Sequence, residues 1–339
     1  MLHAVPSSTE STPDETTHRL LASSNRQRLS PRRTAGDFDV ELEQETSIRR
    51  LERRFVESER AAVRAEAKST PAEPAGFANW FTSLNATGSG QNDALFPWLA
   101  QHAEREALSW FLDQELAQVS QFADLVAFTQ VSLPTGPKLE LARTLWDELA
   151  QHATHEYPSM PSAAVRRPNP LTDVVWESLA LGNLMTALAT ARHYAYQSLG
   201  ALGAFELTST IHLRFVRAGL VRVGLSDERA ERYLSQVKSD AQPASAWLHR
   251  VLLPLIANDS TLAPVIAEGA LLRLRAEARC FERYRRELWS SPAGVARFEY
   301  ADESSTPMSG EPTPKSTTTA PPVPAFRPVK WREVHRPKL

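Results

Sequence analysis

The sequence predicts an all-α fold, a multi-helical bundle with unstructured ends. Three observations carry that prediction. Apolar residues between about positions 77 and 300 recur with helical period. No convincing alternating run of β-branched residues interrupts them, and strand punctuation is scarce. The breaks that do occur carry helix-stop chemistry: Pro134 with Gly136 and Pro137, Pro158 with Pro161, and Pro168 with Pro170.

Residues 1–37 are rich in Ser, Thr, Pro and Arg without periodicity, which predicts a disordered N-terminal tail. Residues 38–68 interleave opposite charges on good helix formers, which predicts a solvated surface helix, and 69–76 read as a linker. The thin apolar stripe of that helix leaves open whether it lies free on the surface or meets a partner. The helical domain spans 77–300, with helices expected near 93–105, 106–129, 137–154, 171–192, 194–223, 226–241, 244–257 and 261–288. Ser226 is the expected cap of the sixth of these, ahead of the acids Asp227 and Glu228. Short loops between long helices predict antiparallel neighbours. Residues 301–339 return to Pro, Ser and Thr, a tail that cannot bury enough surface to fold.

Composition narrows the function. Lys and Arg number 38 against 40 Asp and Glu, so no global field favours nucleic acid or an anionic membrane. No stretch of 18 apolar residues spans a membrane, and the first residues lack the pattern of a signal peptide. The single cysteine, Cys280, excludes an intramolecular disulfide and reads as a buried structural thiol. The chain is expected to be cytoplasmic. The arginines around Cys280 alternate with Glu277, Glu282 and Glu287, so they form no clean basic patch.

In such a bundle the informative residues are ionisable ones where the pattern predicts core. Glu148 and His155 stand seven apart, two turns on one face of a helix. They are either metal ligands or ordinary surface residues, and His152 is a spare donor beside them. Glu206 follows the small-residue run Leu199-Gly-Ala-Leu-Gly-Ala-Phe, which would pack tightly on a neighbour. A buried carboxylate there needs a metal or a hydrogen-bonding partner. Glu115 lies on an aromatic-rich helix and reads as an exposed acid next to Asp113, with a ligand role as the alternative. Asp240 shares one helical face with Gln236 and Pro243. Pro243 should kink or end that helix. His212 and His249 read as ordinary helix residues.

These segments resemble the bacterial iron-containing redox enzyme family, part of the haem-oxygenase-like di-iron oxidase and oxygenase group. The matching stretches include Phe122-Ala-Asp-Leu-Val-Ala-Phe-Thr-Gln-Val, Lys138-Leu-Glu-Leu-Ala-Arg-Thr-Leu-Trp-Asp-Glu, Val175-Trp-Glu-Ser-Leu-Ala-Leu-Gly-Asn-Leu, Leu199-Gly-Ala-Leu-Gly-Ala-Phe-Glu-Leu-Thr and Arg279-Cys-Phe-Glu-Arg-Tyr-Arg-Arg-Glu-Leu. The resemblance implies a seven-helix haem-oxygenase-like bundle and a non-haem iron site. By it, Glu148, Glu206 and Asp240 match ligand positions, His155 matches a following histidine in a shortened loop, and Glu115 matches an acid on the first core helix. Gln236 and Pro243 stand where the family carries two histidines of a His-x-x-x-Asp-x-x-His helix. Two readings follow: an oxidoreductase with one or two iron ions, acting with O2 on a small organic substrate, or a catalytically inactive scaffold without metal that binds a ligand or a protein. A site with one iron and His152 as a replacement ligand lies between them. The resemblance names no substrate, and a homodimer is one of the oligomeric states it leaves open.

Overall fold

The structure is a computed structural model that describes residues 13–31, 36–119, 122–155, 173–235 and 242–290. The expected tail 301–339, Gln236 and Asp240 lie outside the described residues, as do the side chains of His152, His155 and Pro243. Among the described residues every regular element is helical, as the apolar period predicts. None of their helices is long and apolar enough to cross a membrane.

The chain enters through α1 (Pro13–Leu29), α2 (Phe38–Lys68) and α3 (Pro74–Thr87). These correct the N-terminal expectations. The stretch expected to be disordered contains α1, which packs on α8 (Trp176–Thr190). His18, Leu21 and Asn25, spaced along one face, are all buried. Asn25 donates to Asn183 Oδ1 at 3.1 Å, and Asn183 donates back to the His18 carbonyl at 2.9 Å. A period carried by so few positions is invisible to composition. Helix α2 is a docked element, not a loose surface helix: Glu52, Val56, Val63 and Ala67 are buried, and it packs against α13 (Leu262–Trp289). The expected linker ends early, because Glu73 caps α3 by accepting from the backbone N–H groups of Ala75 and Gly76.

The body follows as α4 (Leu95–Gln101), α5 (Arg105–Val119), α6 (Phe122–Thr129), α7 (Thr135–His155), α8, α9 (Ala195–Val223), α10 (Glu228–Ser235), α11 (Gln242–Trp247), α12 (Leu253–Asn258) and α13. The described residues of the helix expected over 106–129 are helical, in α5 and α6. Helix α10 is capped by Asp227 rather than Ser226: the Asp227 carboxylate accepts from Ala230 N–H at 3.0 Å, and its carbonyl accepts from Glu231 N–H at 3.0 Å. Pro243 lies on α11, and the residues before Gln242, where the expected kink or helix end would fall, lie outside the described ones.

Between α11 and α12 the helix widens into a π turn, Leu248–Leu252, in which Leu253 N–H reaches Leu248 C=O. Pro254 explains it. It has no N–H to give the carbonyl four residues back, and its ring would clash there. Just before the π turn, Trp247 is buried and its indole N–H donates to Leu199 C=O at 3.2 Å.

Helices α9 and α13 form the centre. They cross at glycines: a Cβ on Gly200 would lie 1.8 Å from the Ile266 carbonyl oxygen, and one on Gly269 would lie 1.8 Å from that of Gln197. The small-residue run therefore packs as its composition predicts. The pair is parallel, however, not antiparallel. Gln197 meets Glu268, Phe205 meets Arg273 and His212 meets Phe281, each contact further along both helices. The intervening α10 to α12 carry the chain back and make the parallel course possible.

Candidate functional site

Beyond the glycine crossing, polar side chains of α5, α8, α9, α10 and α13 face one another inside the bundle. Glu115, on α5, is not the exposed acid its neighbourhood suggests. It is half-buried and accepts a hydrogen bond from the Tyr284 hydroxyl at 3.1 Å. Its neighbour Asp113 turns away to Arg229 at 2.9 Å. The Tyr284 hydroxyl also meets Ser178 Oγ at 2.8 Å. With its one proton directed to Glu115, the phenol must receive that second bond from the serine. Burial, followed by the nearby Glu115 carboxylate, pushes the Tyr284 phenol well above its ordinary range. The same two causes, in the same order, raise Tyr233 on α10, with Glu277 adding to them. Cys280 lies in this interior, fully buried, with its thiol pushed up by desolvation and donating to the Glu177 carbonyl at 3.4 Å. That agrees with the structural role expected of it.

The expected metal ligands are spread over several helices. Glu115 lies on α5, Glu148 is buried on α7, and Glu206 is half-buried on α9. The backbone of His155 lies on α7. Among the described residues, no three His, Cys, Asp or Glu side chains gather into a group that could hold a metal ion. The other expected donors, His155 and Asp240, lie outside the described side chains.

Sequence reasoning passed over three residues here. His212 is buried, stacked on Phe96 with ring centres 3.8 Å apart, and set edge-on to Phe281 at 5.2 Å. Burial lowers its pKa; the Glu277 carboxylate partly restores it and the Arg273 guanidinium lowers it further. Arg273 and Glu277 form a buried ion pair at 2.9 Å. The one available signal was spacing. Arg273, Glu277 and Phe281 stand four apart on a helix whose other face carries the exposed charges. His249, by contrast, is exposed on the π turn.

No curated protein and no solved structure matches the chain. A family model described as iron-containing redox enzyme matches residues 109–278, just over half of the chain. The matched region runs from the start of α5 through the buried acids to Glu277 on α13, and by that match the chain belongs to the iron-containing redox enzyme family.

Proposed function

We propose that this protein is an oxidoreductase of the family with an incomplete ligand set, descended from O2-activating non-haem iron enzymes that act on small organic substrates. It holds at most one iron ion per chain. The observation that carries this reading is the sequence itself, with Gln236 and Pro243 where the resemblance implies histidines on either side of Asp240. Glutamine is a poor iron ligand and proline is none, so Asp240 is the one strong donor there. Glu148, His155 and Glu206 are the remaining donors assigned to the ion, and Glu115 is the outlying one.

In this family the redox chemistry belongs to the iron. The chain's own contribution is read from the line Ser178, Tyr284 and Glu115. The raised phenol stays protonated at neutral pH, so it donates to Glu115 and fixes that carboxylate's orientation within the bundle. Anaerobic ferrous titration with metal analysis tests the proposal. At most one tightly held iron per chain is expected, and two would overturn it. The alternative is an inactive scaffold that binds a ligand or a protein, and Gln236 and Pro243 at the two expected histidine positions favour it. A folded protein that retains no iron would select it.

A further inference from the structure

Helix α7 is buried along one side. Leu141, Thr144 and Glu148 face the bundle, where α7 packs on α6 and on the π turn Leu248–Leu252. On the opposite side Leu139, Trp146 and Leu149 are 60 %, 73 % and 51 % exposed, and Ala142 between them is exposed too. Positions 139, 142, 146 and 149 step by three, four and three, the spacing of a seam between two helices. The three large side chains show water roughly 400 Å² of apolar surface, the size of patch that marks an interaction site.

The symmetry of the stripe names its occupant. Laid antiparallel on a copy of itself about position 144, Leu139 meets Leu149 and the small Ala142 meets the large Trp146, each pair twice. A parallel pairing would instead set Trp146 against Trp146. Charge agrees with the antiparallel register. Arg143 and Asp147 are exposed one turn apart on the same edge of the stripe, and an antiparallel pair brings like edges together. Arg143 of one copy then stands beside Asp147 of the second copy, offset by about 3 Å along the axis at 1.5 Å per residue. Size agrees as well. Doubled in a pair and widened by its charged rim, the contact reaches about 1,000 Å², the lower end of specific interfaces.

We propose that the α7 face of Leu139, Ala142, Trp146 and Leu149 is a self-association surface, through which two copies of this chain pair antiparallel about a two-fold axis near position 144. An interface of that size gives a reversible dimer with Kd on the order of 10 µM. Glu148 lies on the other side of the helix, so the pairing requires no iron.

Sedimentation velocity of the full chain across roughly 1 µM to 1 mM should follow a monomer–dimer equilibrium. Trp146→Glu changes an exposed side chain, so the variant should fold and associate at least tenfold more weakly. Cross-linking tests the register. Cys280 is the chain's one cysteine and is fully buried, so an introduced thiol reports on the surface alone. Arg143→Cys, beside the two-fold axis, should couple the two copies through a short bis-maleimide. Lys138→Cys should not, because it stands about 18 Å along the axis from its counterpart. A chain that stays monomeric throughout overturns the proposal and leaves the face bare or to another occupant. Unchanged association of folded Trp146→Glu, or equal coupling from positions 138 and 143, would overturn it too. Iron does not enter these measurements, so their failure leaves the iron stoichiometry untouched.

Discussion

Tyr284 spends both of its hydrogen-bonding capacities inside the bundle, one on Glu115 and one on Ser178. Tyr284→Phe keeps the ring and removes both bonds, so it should lower unfolding free energy by about 1–2 kcal/mol in urea denaturation. His18 makes the opposite kind of contribution, because it must stay neutral. Its ring stacks on Trp176 at 5.5 Å and stands edge-on to Phe55 at 4.6 Å. Burial, opposed by Asp14 and assisted by Arg279, lowers its pKa from 6.5 to about 4. A histidine depressed in the folded state binds its proton first in the unfolded chain. Its stability contribution is therefore complete above 6.5 and is lost as pH falls towards 4. The loss amounts to at most about 3 kcal/mol. His18→Phe should flatten that part of the stability–pH curve, and an unchanged slope would remove His18 as its source. Neither role is legible in sequence. Helical period places a residue on a face, but only the neighbouring helix decides what that face meets, and so Glu115 reads as an exposed acid and His212 as ordinary.

At the scale of the element, the crossing of α9 and α13 is the least forgiving contact. Gly200→Ala would drive a methyl into the Ile266 carbonyl, a backbone group that cannot rotate away. Overpacking of this kind should cost about 3 kcal/mol, read as a lowered Tm. The body's long helices were legible because their apolar faces are wide and their ends carry proline and glycine. Helices α1 to α3 were less so. The buried residues of α2 number only Glu52, Val56, Val63 and Ala67 along 31 residues, and one of them is an acid. The π turn before Pro254 was also hidden, because period analysis assumes one constant pitch.

Across the whole molecule, ion pairs fasten the N-terminal helices and their neighbours to α13. Arg60 binds Glu268 at 2.9 Å, where Gln197 also donates at 3.0 Å; Arg279 binds Glu59 at 2.6 Å, and Arg283 approaches Glu177 at 3.7 Å. Arg279 and Arg283, which sequence reading sets aside as part of a failed basic patch, thus act as fasteners between helices. The family was legible from motif order along the body, while the ligand set was legible only as donor types, since the convergence of side chains is a property of the packed helices. The parallel course of α9 and α13 has a kinetic consequence. Two parallel helices cannot close as a local hairpin, so the chain from 224 to 261 must fold back before Gly200 can meet Ile266. We expect the crossing to form late, after the folding transition state. Gly200→Ala should accordingly accelerate unfolding far more than it slows refolding in stopped-flow measurements. The molecule's tightest contact would be the one it completes last.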